Sequence, residues 1–125
     1  MHLTLHPSTF CVHRLAPTAT VPTSALASPW FSITRTQGEL SIVCASDIEI
    51  EAQHTETGWR ALEVQGPLDF ALTGILAELS GILADGSISL FAISTYDTDV
   101  LLVKRDTLDA AIDALRAHGH VVITP

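Results

Sequence analysis

Apolar positions recur at three- and four-residue spacing in the middle of the chain, which predicts a helix with one buried face. The stripe consists of Leu72, Ile75, Leu76, Leu79, Ile82 and Leu83. Asp85-Gly86 supplies the end of this helix. Two strand patterns follow, SISLFAIS and VLLV, and the short polar loop STYDTD between them predicts a hairpin turn. Residues 66–103 therefore predict a helix, a strand, a turn and a strand.

The patterns on either side of this stretch extend it to six elements. Upstream, ALEVQG predicts a strand, Pro67 suits the first turn of the helix, and Asp69 is a candidate helix cap. Downstream, Asp106 is a candidate cap for a helix over DTLDAAIDALRAHG, which ends at Gly119, and HVVIT predicts a last strand. The apolar residues of this helix that share one face are Leu108, Ala111, Ile112 and Leu115. The order β-α-β-β-α-β is the split-βαβ pattern, in which an antiparallel sheet carries both helices on one face.

The N-terminal half has strand patterns but only a trace of helix. LTLHPSTFCVHRL predicts a strand pair or a bent edge strand, because Pro7 cannot donate to a ladder. APTATVPTSALASP predicts a connection with one helical turn near residues 24–26, and WFSITRT and ELSIVCA predict a hairpin across Gln37-Gly38. SDIEIEAQHTETGW predicts an acidic surface segment and the boundary before a second half that starts near Arg60. The first half thus repeats the order of the second with its helices cut down.

Composition restricts the partners and the compartment. The chain has 125 residues, of which 47% are hydrophobic, so it can bury a core as one domain or two very small ones. Lys and Arg number 6 against 14 for Asp and Glu, and a net charge of −8 argues against nucleic acid. No apolar run approaches the roughly 20 residues of a membrane span, and we expect a cytoplasmic protein. Cys11 and Cys44 lie in apolar strand-like runs, which favours reduced, packed thiols over a disulfide.

Two groups of residues are candidates for binding a small molecule. The hydroxyls and carboxylates of residues 94–99 could hold an ammonium group, although the same residue types are typical of a plain surface turn. Thr73-Gly74, near the start of the central helix, could bring free N–H groups close to a carboxylate, although Gly74 could equally serve close strand packing. Together the two groups complement a free amino acid.

The remaining chemistry favours no enzyme and no bound metal. His118 and His120 flank a helix end, the other four histidines are scattered without ligand spacing, and we expect neither a metal site nor a cofactor. Neither Ser94 nor Cys44 lies in a nucleophile motif such as GxSxG. The run of Asp47, Glu49 and Glu51 is most simply a solvated acidic face.

The sequence also resembles a known family. GILAELSGILADGSISLFAISTYDTDVLLV, with WFSITRTQGELSIV upstream, resembles the tandem ACT-domain proteins related to the CASTOR-type arginine sensors and their short bacterial homologues. The resemblance covers nearly the whole chain and is strongest over residues 68–103. It implies an α+β, ferredoxin-like ACT fold with a degenerate unit over residues 1–59 and a complete ACT domain over residues 60–125, and it allows the units to exchange their last strands.

The resemblance further implies a non-catalytic regulatory module that binds a free amino acid between ACT units of a homodimer, with a regulated protein as a further partner. The ligand contacts that it carries over to this chain are Asp69, Thr73, Gly74 and Ile75 at the helix start, Thr95, Tyr96 and Asp99 at the loop, and Ser89 and Leu90 on the partner strand. Leu72 stands where the arginine-binding relatives have an acidic residue. The alternative is an interaction or dimerisation domain of the same fold that has lost ligand binding.

Overall fold

The computed structural model of the protein describes residues 1–66 and 74–125. The strands are β1 (His2–Leu15), β2 (Ser32–Arg35), β3 (Leu40–Ala45), β4 (His54–Val64), β5 (Leu90–Ser94), β6 (Asp99–Lys104) and β7 (Val121–Ile123). The α-helices of the described residues are α1 (Ile75–Asp85) and α2 (Leu108–Ala117), and short 3-10 turns cover Thr23–Ala27 and Arg105–Thr107. None of these helices has the length and apolar character needed to cross a membrane.

The chain forms two compact units. Ser8–Trp59 make the N-terminal unit, and Arg60–Pro125 together with Met1–Pro7 make the C-terminal unit. The first seven residues thus pack with the second half of the chain, whereas the sequence patterns assigned them to the first. The physical reason is hydrophobic burial, because Leu3 and Leu5 belong to the apolar core of the C-terminal unit.

The sheet of the C-terminal unit contains the predicted strands and one additional strand. Its order is β7-β1-β4-β6-β5, in which the first residues of β1 lie between β4 and β7. β5 and β6 form the predicted antiparallel hairpin, whereas β7 pairs in parallel with residues 2–4 of β1. The sheet expected to be wholly antiparallel therefore contains one parallel pair.

The core of the C-terminal unit follows the predicted apolar stripes. Leu79, Ile82 and Leu83 of α1 are buried in it, as are Leu108, Ala111, Ile112 and Leu115 of α2. Residues 100–103 of β6 are all buried, which accounts for their wholly apolar sequence. Gly86 directly follows α1, and Gly119 follows the C-cap residue of α2, as expected from the sequence.

The predicted cap of α2 is wrong. The helix begins one residue later than expected, with Thr107 at the N-cap position, and no side chain caps it. Asp106 instead lies inside the 3-10 turn Arg105–Thr107, which takes the place of the first helical turn. The hydroxyl of Thr107 donates to the Lys104 carbonyl oxygen at 3.1 Å and so stabilises this turn.

The N-terminal unit contains no α-helix among its own residues, all of which are described. Its strand order is β2-β3-β1-β4, and β2 and β3 form the predicted hairpin, with Arg35 opposite Leu40. The 3-10 turn Thr23–Ala27 confirms the single helical turn expected there. Non-helical segments cover its core, in which Ile48, Ile50 and Ala52 pack against Leu15, Leu40, Ile42, Cys44 and Ala25.

Two strand predictions in the first half are wrong. β1 is one 14-residue strand with neighbours on both sides, and it is neither a strand pair nor an edge strand. Pro7 is tolerated because it falls between the ladder of residues 2–4 with β7 and that of residues 10–15 with β3. β4 begins at His54, inside the expected surface segment, and continues through Gly58, whose φ of +77° suits glycine.

Candidate functional site

The turn between β5 and β6 is held by its own polar side chains. The Thr95 amide donates to the Thr98 carbonyl oxygen at 2.7 Å, and the Thr98 amide donates to the Thr95 hydroxyl at 3.2 Å. Ser94 and Asp99 are opposite each other in the hairpin, and the Ser94 hydroxyl donates to Asp99 Oδ1 at 2.6 Å. The candidate ligand groups therefore also close the turn, as the plain-turn interpretation requires.

The end of β4 lies directly against this turn. Thr98 is buried, and its hydroxyl donates to the carbonyl oxygen of Val64. A Cβ atom at Gly66 would lie 2.7 Å from the carbonyl oxygen of Asp97, a distance that real Cβ atoms do not adopt. The backbone can therefore approach the turn only because residue 66 is glycine, and this contact fixes where the connection from β4 toward α1 begins.

Sequence reasoning missed both Gly66 and Thr98 as positioning residues. A glycine directly after a strand pattern is the signal that could have indicated Gly66, since such glycines mark close backbone approach. Thr98 carries no comparable signal, because threonine is an ordinary turn residue. The partner of its hydroxyl comes from a strand more than thirty positions earlier in the sequence.

The outer surface of the turn is acidic and carries an aromatic ring. Tyr96 is 80% exposed, the largest exposure among the large hydrophobic residues of the described chain. Asp97 is exposed and Asp99 is half-buried. Two carboxylates on one short turn favour a cationic group at this place, as an amino-acid ammonium would be.

Helix α1, which precedes this hairpin in the chain, begins at a left-handed glycine. Gly74 is its N-cap residue with φ 83°, and no side chain of the described residues caps the helix. The first backbone amides of a helix have no partner within the helix and carry its positive dipole end, so they favour an anion. The sequence had placed Gly74 within the first turns of the helix, which is wrong, and its positive φ is the reason that the helix starts after it.

The described part of the chain shows no close packing at Gly74. A Cβ atom at this position would meet no described atom within 4 Å, so none of the described strands requires a glycine here. Its neighbour Ile75 is half-buried against the core of the C-terminal unit. Any ligand contact of Ile75 would therefore use its backbone amide. The predicted contacts Asp69 and Thr73, and the informative position Leu72, lie outside the described residues.

The predicted partner-strand contacts lie at the other end of the hairpin. Leu90 is opposite Val103, whereas Ser94 is opposite Asp99. Four residue steps at roughly 3.3 Å each separate the two ends by about 13 Å. Ser89 is exposed before the strand begins, and Leu90 is half-buried against the core. One chain therefore does not bring Ser89 and Leu90 together with the residues of the turn.

The histidines near the end of α2 make contacts within the C-terminal unit. His118 Nδ1 is 2.9 Å from the Ala114 carbonyl oxygen. His120 is buried, with its Nδ1 3.0 Å from the amino group of Met1 and its Nε2 3.6 Å from a carboxylate oxygen of Glu78. Over residues 1–66 and 74–125, no three His, Cys, Asp or Glu side chains form a group that could hold a metal ion.

Sequence comparison matches a different family model to each half of the chain. The family model of the ACT domain matches residues 54–117, and a model of an N-terminal domain matches residues 8–50. The mouse protein named cytosolic arginine sensor for mTORC1 subunit 1 is 32% identical over 96 residues, which cover 70% of this chain and 29% of that protein. This chain therefore spans less than a third of the length of the curated relatives that it matches.

Solved structures share the fold. A protein from Agrobacterium tumefaciens is 33% identical and superimposes with a TM-score of 0.91 over 99% of this chain and 92% of its own. Aspartate kinase from Synechocystis superimposes with a TM-score of 0.70 at 19% identity, over 99% of this chain and 27% of the kinase, which shows the fold alone. ACT domains are regulatory modules that bind amino acids, which supports a role of that general class. Taken with its sheet and two helices, the matches establish that the chain belongs to the ACT domain family.

Proposed function

We propose that the protein is a cytosolic, non-catalytic regulatory module that binds a free amino acid between two ACT units. The proposal rests on two observations: the helix start at Gly74, which no described side chain caps, and the acidic turn of residues 95–98 with Asp99. The helix start would hold the carboxylate of the ligand and Asp99 its ammonium group. Binding would then alter the dimer or its contact with a regulated protein.

A second copy of the chain would complete the site. Ser89 and Leu90 lie about 13 Å along the hairpin from the turn, and the backbone of a partner's strand would supply these contacts instead. In a symmetric dimer the site would be formed twice, each chain offering its helix start to the strand of the other. The mouse relative's name, an arginine sensor, supports an amino-acid ligand.

Calorimetry of the full chain against each of the standard amino acids tests the proposal. We expect saturable binding of at least one amino acid and an increase in thermal stability, about 2.7 kcal/mol at a ligand concentration of 100 Kd. Asp99→Ala should weaken binding at least about tenfold, because Asp99 is half-buried and an ion pair shielded from water contributes more to binding than an exposed pair. Asp113→Ala removes the same charge from the exposed side of α2 and should leave binding unchanged.

The absence of heat and of a thermal shift with every amino acid would contradict ligand binding. An equal loss in the Asp99 and Asp113 variants would indicate a general charge effect and would contradict the assigned role of Asp99.

A specific observation favours a second candidate, an interaction or dimerisation domain without a ligand. The hydroxyls of Ser94 and Thr95 and one oxygen of Asp99 are engaged within the turn itself. In that case sedimentation would give the same oligomeric state for the native protein and Asp99→Ala, with no amino acid bound by either. The sensing proposal instead requires that Asp99→Ala abolish an amino-acid response of the native protein.

A further inference from the structure

The N-terminal unit contains a cleft of its own. Residues 46–53 join β3 to β4 without forming a helix or a strand and cross the sheet face that carries Cys11 and His13. The cleft beneath them has a volume of about 630 Å³ and is lined by both side chains and by Ser46 and Thr55. This volume lies within the range of small-molecule sites, about 300–1,000 Å³.

His13, one of the residues that line this cleft, has an unsatisfied hydrogen-bonding group. Its side chain is 5% exposed, and its Nδ1 is 2.9 Å from the hydroxyl oxygen of Thr55. Its Nε2 is buried and has no hydrogen-bond partner in the described structure. A buried polar atom without a partner destabilises a protein by about 1–3 kcal/mol, so a ligand that supplies the missing hydrogen bond gains affinity from it.

The protonation of His13 decides which kind of group it would accept. Burial lowers the pKa of His13, so the imidazole is neutral at pH 7. With its proton on Nδ1 and donated to Thr55, the Nε2 atom presents a lone pair. In this tautomer the complementary ligand group is an N–H or O–H donor, whereas a hydrogen on Nε2 would require an acceptor.

The covering segment adds negative charge and apolar surface. Ile48 and Ile50 pack against the core of the N-terminal unit, and Glu49 and Glu51, which alternate with them in sequence, are exposed. All four line the cleft, and none of the lining residues is lysine or arginine. Two carboxylates and a neutral imidazole attract a cation and repel a ligand that carries its own carboxylate.

We propose that this cleft binds a small aliphatic diamine that has no carboxylate group. One ammonium group would bind the carboxylates of Glu49 and Glu51, and the second nitrogen would donate to His13 Nε2. The methylene groups between them would contact Ile48 and Ile50. The site lies within Ser8–Trp59 and is independent of the amino-acid site proposed for the C-terminal unit.

Matched C4 compounds test the chemistry on the full chain by calorimetry. We expect 1,4-diaminobutane to bind saturably, and 1,4-butanediol and succinate, of the same length but neutral or anionic, to bind at least about tenfold more weakly. The 15N resonances of the imidazole provide a second readout, since the diamine should shift His13 Nε2 while the other histidines stay unchanged. Raising the salt concentration should weaken binding, because the two carboxylates are exposed.

Paired variants separate this site from general charge. Glu49→Gln with Glu51→Gln should weaken diamine binding at least about tenfold. Asp85→Asn with Asp113→Asn removes two exposed charges from the other unit and should leave it unchanged. Asp99→Ala should also leave it unchanged, so a failure of the amino-acid proposal remains distinct from a failure of this one.

Three results would overturn the diamine proposal. They are no saturable binding of 1,4-diaminobutane, equal loss of binding in the two double variants, and equal affinity for succinate. His13→Gln removes the proposed acceptor for the second nitrogen and should also weaken diamine binding. If that variant does not fold, the glutamate variants still test the proposal, because they change only exposed side chains.

Discussion

The imidazole of His13 is a buried titratable group whose protonation is coupled to folding. It is 5% exposed and is bonded through Nδ1 to Thr55, in a unit whose core is otherwise apolar. Burial favours its neutral form, so its pKa in the folded protein lies below the ordinary value of 6.5. The unfolded chain therefore binds a proton at a higher pH than the folded one.

We predict that His13 reduces stability in acid. His13 does not lower the free energy of unfolding well above pH 6.5. That free energy falls as the pH drops through 6.5 toward the lower pKa of His13 in the folded protein. Urea unfolding at pH values between 7.5 and 5 checks this for the native protein and for His13→Gln, which cannot titrate. The native protein should lose more free energy of unfolding than the variant, and equal slopes would contradict the prediction.

Cys44 shows the same effect of burial on a thiol. It is fully buried opposite Cys11 on the neighbouring strand, and both thiols are free. Burial raises the pKa of Cys44, and the neighbouring Cys11 and Asp47 add to the shift. Because the thiolate is the reactive form, Cys44 is a packing residue. The sequence already indicated this from its apolar surroundings.

At the scale of elements, Gly66 joins the end of β4 to the β5-β6 turn. The close approach of its backbone to the Asp97 carbonyl oxygen leaves no space for a Cβ atom. Gly81 provides a contrast, since it lies inside α1 and a Cβ atom there would meet no described atom within 4 Å.

We predict opposite effects of alanine at these two glycines. Gly66→Ala should lower the free energy of unfolding by about 1–3 kcal/mol, because one of two backbones must move. Gly81→Ala should raise it by about 0.5–1 kcal/mol, because alanine is the better helix former. Thermal and urea unfolding of the two variants check this, and a Gly66→Ala protein as stable as the native one would show that the contact is not needed.

The elements also differ in how well their sequences predict them. α2 and β6 have complete apolar patterns, and their apolar positions are buried as expected. β5 was predicted as a strand, and the structure confirms this. The start of α1 was misplaced because Gly74 has a positive φ that periodicity does not show. The start of β4 was missed because exposed residues 54–57 have no alternation between buried and exposed positions.

At the scale of the whole molecule, the C-terminal unit depends on the other end of the chain. Met1–Pro7 belong to it, and Leu3 and Leu5 are buried in its core. Their segment lies between β4 and β7, so the chain from Arg60 onward lacks one interior strand of the sheet. Burying a leucine contributes about 1.5–3 kcal/mol, which a unit of this size can hardly lose.

We therefore predict that a fragment of residues 60–125 does not fold by itself. A second fragment, in which residues 1–7 precede residue 60 through an Asn-Gly linker, should fold. The Gln65 amide donates to the His2 carbonyl oxygen, and the Arg60 side chain donates to that of His6. The two segments therefore run antiparallel, and a two-residue hairpin loop can join them near Pro7 and Arg60. Circular dichroism and amide exchange compare the fragments, and equal stability would contradict the role of the first strand.

The sequence by itself determined the local features of this protein. Apolar periodicity placed both helical stripes, turn residues placed the two hairpins, and the motifs from residue 68 to 103 indicated the family. These features can be predicted from the sequence because each depends on residues within a few positions of one another. The acidic net charge, likewise, follows from composition alone.

Only the tertiary structure decided which distant segments meet. It placed Leu3 and Leu5 in the core of the C-terminal unit, set Gly66 against the turn, and left His13 Nε2 buried without a described partner. Each of these depends on contacts between residues more than thirty positions apart, for which the sequence has no periodic signal. The tertiary structure also showed that Ser89 and Leu90 lie far from Asp99 along the hairpin. This distance follows from the strand register, which is known only once the pairing of β5 with β6 is known.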